Sequence, residues 1–140
     1  MPSSPEQPSD LPAVVLTFAA SDPSGGAGIQ ADVLTLASMG CHPLSVLTAI
    51  TVQDTLGVEG VQPLDSEWVA DQARCLLEDM PIDAFKVGVL GSVENITVIA
   101  EILADYPDVP LVLSTREPAR FRDGMAGPCR PRPPSCWRKS

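Results

Sequence analysis

AVVLTFAASDPSGGAGIQADVLTLASMG, residues 13–40, packs three kinds of local instruction into one stretch. Residues 13–20 are almost continuously apolar, the pattern of a short strand covered on both faces in a parallel sheet. A glycine-rich turn, Ser21 to Gly28, follows at once. From Ala27 to Met39 the apolar residues Ile29, Val33, Leu36 and Ala37 recur at helical spacing, and Gly40 stands where a helix ends in a left-handed cap. Strand, glycine turn and helix make the first part of a β-α-β unit.

The pattern repeats downstream. LSVLTAITV, residues 44–52, reads as a second buried strand rich in β-branched residues. Residues 53–64 allow a loop or a short hairpin. Asp65 or Ser66 can cap a helix with Glu67 in its first turn, and Val69, Ala73, Leu76, Leu77 and Met80 form its apolar stripe up to Pro81. Residues 84–90 supply a third strand. Ser92 caps a further helix with Ile96, Ile99, Ala100 and Leu103 on one face, and residues 109–113 give a fourth strand with Pro110 near its start. Strands alternating with helices imply right-handed crossovers and an α/β fold, a mainly parallel sheet with helices on its faces.

Both ends depart from this order. Residues 1–12 carry four prolines and three serines without periodicity, the composition of a mobile leader. Residues 114–140 hold five prolines and seven bases and show no apolar periodicity, so they read as a disordered basic tail. The formal charge of −9 therefore averages an acidic body, in which only Arg74 and Lys86 are basic, with a positive tail. An acidic body argues against nucleic acid or an anionic membrane as partner. No apolar run approaches the ~20 residues that span a bilayer, and the start lacks the basic and apolar regions of a secretory signal, so a cytoplasmic protein is expected. Cys41, Cys75, Cys129 and Cys136 have no C-x-x-C spacing and His42 is the single histidine, which makes zinc and a disulfide framework poor expectations.

The turn Ser21-Asp22-Pro23-Ser24-Gly25-Gly26-Ala27-Gly28 sits where ligands collect in open parallel sheets, outside the carboxyl end of a strand. Its glycines let backbone approach a ligand, and the helix start adds oriented N–H groups. It is neither a Walker loop nor a dinucleotide fingerprint, and a turn that only connects competes with the binding reading. Asp32 lies one turn into the helix and reads either as a site carboxylate or as a solvated one. Gln53, at a strand end, offers a donor and an acceptor suited to a heteroaromatic amine, although an ordinary strand-end glutamine fits as well. Lys86 interrupts an apolar strand, as a lysine does when its ammonium reaches solvent at an edge. His42 is expected in a loop, and Cys75 in the core.

The order and spacing of AASDPSGGAGIQAD, LTAITVQDTLGV and FKVGVLGS resemble the hydroxymethylpyrimidine/phosphomethylpyrimidine kinases of thiamine biosynthesis, members of the ribokinase-like group, from about residue 13 to residue 113. The resemblance implies that Gln53 binds the aminopyrimidine and that Asp32, Ala20 and Ala27 line the same pocket. Val89 would pack near the ring, where relatives often carry methionine. It also implies transfer of the ATP γ-phosphoryl group to the hydroxymethyl oxygen and then to the monophosphate, with Mg2+ assisting, and it leaves homo-oligomer formation open. Departures accompany it. The family's G-T-G-C type anion hole does not occur in this sequence, and Ser114-Thr115 stands where the family has an aspartate-proline pair.

The resemblance thus implies a partial ribokinase-like fold, truncated after about the fourth strand, with the catalytic residue and nucleotide site absent and activity impaired. A non-catalytic pyrimidine-binding or interaction protein, or an unstable truncated product, are the competing expectations. The tail reading predicts that amides from Phe121 to Trp137 exchange without protection in the monomer. Strong protection there would make the tail a folded element.

Overall fold

The computed structural model describes residues 11–114; the expectations for residues 1–10 and for the tail from Thr115 onward lie outside the described residues. The elements are β1 (Val14–Ala19), α1 (Gly28–Ser38), β2 (His42–Leu47), β3 (Ala49–Gln53), β4 (Val58–Pro63), α2 (Ser66–Asp79), β5 (Ala84–Val87), α3 (Val93–Ala104) and β6 (Leu111–Leu113). Four strands form a parallel sheet in the order β2-β1-β5-β6, and β3 and β4 form a separate antiparallel pair. The expected α/β class and mainly parallel sheet are both present.

Strand alternation decides which face holds the core. Leu16 and Phe18 of β1 align with Leu44 and Val46 of β2 and with Phe85 and Val87 of β5. All six are buried with Val69, Ala70 and Ala73 of α2 and with Ile99 and Ile102 of α3. Phe85 also meets Phe18 at 6.3 Å and the edge of the Tyr106 ring at 5.8 Å between centroids. The opposite face presents Thr17, in register with Ser45 and Lys86, and Thr17 bonds to Asp32 on α1. Helices therefore lie on both faces. Among the described residues, no helix is long and apolar enough to cross a membrane.

Several local expectations need correction. The apolar run 44–52 is two strands rather than one, broken at Thr48. β1 ends at Ala19, so beyond Leu47 the chain has no parallel neighbour to continue with. Thr48 N–H donates to Ala19 O, its hydroxyl donates to Val89 O, and from Ala49 onward the chain pairs with β4. The open choice for residues 53–64 resolves as a hairpin, turned by Asp54, whose Oδ1 accepts from Leu56 N and Gly57 N. His42 is no loop residue but opens β2, its N–H on Ala13 O. Cys75 is exposed, because burial of Val69, Ala70 and Ala73 leaves it on the outer side of α2.

α3 is rotated from its expected face. Ser92 caps it as expected, accepting from Asn95 N at 3.2 Å. Yet Ile96 and Ala100 face solvent, while Asn95 is fully buried beside Ile99 and Ile102. A polar side chain goes inward here because it has work to do. The two Asn95 Nδ2 protons are shared among Thr48 O, Leu64 O and Leu90 O at 3.1, 3.3 and 3.0 Å, joining the strand break, the hairpin exit and the turn after β5.

Asn95→Asp keeps the shape but replaces these donors with a carboxylate facing carbonyl oxygens. It should destabilise more than Asn95→Ala, which itself should cost about 2–4 kcal/mol in urea titrations for buried acceptors left unpaired. The buried carboxyl would have a raised folded-state pKa, so its penalty is smallest in acid, where a protonated oxygen can still donate. The gap between the two variants should widen from roughly pH 4 to pH 8. A gap independent of pH would mean that position 95 does not face the carbonyls.

Candidate functional site

In a sheet ordered β2-β1-β5-β6, the chain leaves β1 towards one side and β5 towards the other. Such a switch point opens a crevice outside the carboxyl ends of the two strands, where open α/β sheets bind ligands. Two glycine turns border it. The first follows β1, and the second, Gly88 to Gly91, follows β5. Gly88 lies against Ala19, so that an added Cβ would come within 3.2 Å of the Ala19 Cβ.

The first turn is held from within. Asp22, almost fully buried, accepts from Ser24 N at 2.9 Å and from the Ser24 hydroxyl at 2.7 Å, while Asp22 N donates to Gln30 Oε1 at 2.7 Å. Ala20 is buried and its carbonyl accepts from Ile29 N at 2.9 Å. Gly28 has φ +60°, and a Cβ there would stand 2.4 Å from Ala20 O. Both facts require glycine at the point where α1 leaves the strand. Ala27, half-buried and extended, is the residue before the helix.

Asp32 is neither a solvated helix carboxylate nor unoccupied. Its Oδ2 accepts from the Thr17 hydroxyl at 2.7 Å and its Oδ1 pairs with the Lys86 ammonium. Lys86 therefore does not simply reach solvent from an edge. β5 lies between β1 and β6, and the Lys86 side chain is 27% exposed, against 12% for Asp32. The parallel register sets Thr17 beside Lys86, and the helix brings Asp32 over both. Sequence spacing could not link positions 17, 32 and 86, since the register that aligns them is tertiary.

The hairpin brings Gln53 to the turn. Ser21 N donates to Ala49 O at 2.9 Å, Thr51 N donates to Ser21 Oγ at 3.0 Å, and the Thr51 hydroxyl stands 2.7 Å from Ser21 O and 2.8 Å from Gln53 Oε1. Gln53 ends β3, where the register with β4 shifts. Val89, 60% exposed, is fixed through its carbonyl by Thr48. Ala20, Ala27 and Asp32 thus belong to the β1 turn and its helix, Val89 to the β5 turn, and Gln53 to the hairpin tied to the first turn. Thr17, Asp22, Thr48 and Thr51 hold these parts together; the last three lie inside the motifs of the sequence, but nothing local marks them as fastening residues. Shallow depressions bordered by Arg74, Glu101 and Tyr106, and by Gln62, Asp65 and Ser92, contain none of the five candidate residues.

An open sheet with a glycine turn and a hairpin meeting at its switch point places the chain in the doubly wound α/β class. Comparison with known proteins narrows this. The phosphomethylpyrimidine kinase family profile matches residues 22–116, and the chain belongs to that family. The chain is 45% identical over 118 residues to the hydroxymethylpyrimidine/phosphomethylpyrimidine kinase of Streptomyces coelicolor, covering 84% of this chain and 44% of that protein. The crystal structure of phosphomethylpyrimidine kinase from Clostridium difficile 630 superposes with a TM-score of 0.70 at 39% identity, over 79% of this chain and 50% of that one. Pyridoxal kinase from Staphylococcus aureus, in complex with AMP-PCP and pyridoxal, gives 0.64 at 35% identity, over 73% and 38%. The fold is that part of the ribokinase-like architecture, and the chain spans half or less of each relative's length.

Among the described residues no group of three or more His, Cys, Asp or Glu side chains could hold a metal ion. The two carboxylates of the first turn and its helix are engaged, Asp22 by Ser24 and Asp32 by Thr17 and Lys86. These residues do not fit Mg2+.

The Lys86–Asp32 pair is partly buried, so removing one partner leaves a poorly solvated charge. Lys86→Met should cost roughly 1–3 kcal/mol in chemical denaturation, between surface and buried pairs. The double variant with Asp32→Asn should recover part of the loss. Strict additivity of the two single effects would show that the pair is not coupled.

Proposed function

We propose that this chain carries the pyrimidine-holding part of a kinase that phosphorylates 4-amino-5-hydroxymethyl-2-methylpyrimidine and its monophosphate with ATP, a step of thiamine biosynthesis. The observation behind this reading is the tie between Gln53 and the glycine turn. Thr51 joins the hairpin to Ser21 and stands against the Gln53 amide, at the end of the sheet where the switch point opens. Gln53 would read the polar edge of the ring, and Ala20, Ala27, Asp32 and Val89 would line its surroundings. Val89 presents less side chain than the methionine frequent in relatives, so its ring contact would be looser.

The names of the relatives support the substrate class, and the AMP-PCP complex of the pyridoxal kinase supports a nucleoside triphosphate as phosphoryl donor. Phosphoryl transfer depends on positioned charge around the γ-phosphoryl group. The described residues would supply ring contacts to the pyrimidine.

Isothermal calorimetry on the full chain should show binding of the hydroxymethylpyrimidine in preference to pyridoxal. Gln53→Ala should weaken it by about tenfold, the effect of one lost hydrogen bond to a polar ring edge. Equal affinity of both proteins would remove Gln53 from the site. In a coupled assay with ATP and Mg2+, turnover is expected at background. Robust turnover abolished by Asp32→Ala would assign the complete reaction to this chain.

A further inference from the structure

The Thr51 hydroxyl carries one proton and has two oxygens within reach, Ser21 O at 2.7 Å and Gln53 Oε1 at 2.8 Å. It cannot donate fully to both. Ser21 O is a backbone carbonyl fixed between β1 and the glycine turn, and it cannot rotate towards another donor. Gln53 can adapt, because turning its amide by half a revolution exchanges Oε1 and Nε2 in nearly the same volume. With the hydroxyl proton on Ser21 O, the Thr51 oxygen has lone pairs left, and the amide nitrogen is the donor that suits them. Thr51 is itself only 7% exposed, so water is poorly placed to substitute.

We propose that Thr51 is a positioning residue: its hydroxyl, committed to Ser21 O, turns the Gln53 amide so that Nε2 donates to Thr51 Oγ1 and Oε1 faces the crevice as an acceptor. The consequence is a specificity rule for the exocyclic ring position that meets Gln53. An amino group there is a donor and pairs with Oε1, whereas an oxo group sets two acceptors against each other. This rests on the reading of Gln53 as a ring contact, but the amide orientation itself requires no ligand. The chemical class selected is an aminopyrimidine over its pyrimidinone counterpart.

The orientation is tested first in the ligand-free full chain by NMR. Nuclear Overhauser contacts from the Gln53 Nε2 protons to the Thr51 side chain are expected. Their absence, with those protons free to exchange as in an unstructured glutamine, would overturn the proposal without any variant having to fold. Specificity is then read by calorimetry with 4-amino-2-methylpyrimidine and 2-methylpyrimidin-4-one on the parent chain, Thr51→Ser and Thr51→Val. The preference for the amino compound should survive in Thr51→Ser and fall about tenfold in Thr51→Val, the worth of one hydrogen bond. A Thr51→Val protein with the parent's preference would overturn the positioning role. If the parent binds neither compound, the pyrimidine site is wrong, and the Overhauser contacts still decide the orientation of the amide.

Discussion

The close approach of Gly28 to the carbonyl of Ala20 sets the geometry on which the crevice depends. With φ at +60° and no room for a Cβ, the chain folds back on the end of β1 and lets Ile29 N reach Ala20 O. Helix α1 then starts against the strand it has just left. One turn later Asp32 falls over Thr17 and Lys86. A side chain at position 28 would push the helix outward, separating this carboxylate from its partners and the turn from Ser21's contacts with the hairpin.

The second sheet depends on a related constraint. Parallel pairing between β1 and β2 ends when β1 turns away, and the following residues still have backbone groups to satisfy. They do so by pairing with β4, and the break is fastened by small polar groups rather than by apolar packing. Thr48 bonds to the turn after β5, and Asn95 gathers three carbonyls from three segments at one buried point. Asn95 Oδ1 has no partner among the described residues, so this joint retains an unsatisfied acceptor while serving as donor. Hydrogen bonds of this kind are directional, and they fix the hairpin at a defined angle where an apolar contact would allow sliding.

The family profile spans residues 22–116, and the strand order sets a switch point outside β1 and β5 within that span. Within it, Thr51 ties the hairpin to Ser21 and stands against the Gln53 amide.

The sequence by itself determined the class of fold. The apolar runs, the glycine turn, the cap at Ser92 and the stripe on α2 are local signals, set by backbone sterics and by the period of each element. Family resemblance, carried by motifs contiguous in the chain, named Gln53, Ala20, Ala27, Asp32 and Val89 as candidates. Only the tertiary structure decided where the run 44–52 breaks, which face α3 buries, and that Lys86 pairs with Asp32. Each of these depends on a partner far along the chain: on where β1 ends, on carbonyls at positions 48, 64 and 90, and on the β1–β5 register. A residue's own neighbours carry its propensity, but a buried polar group is accounted for only by the distant group that satisfies it.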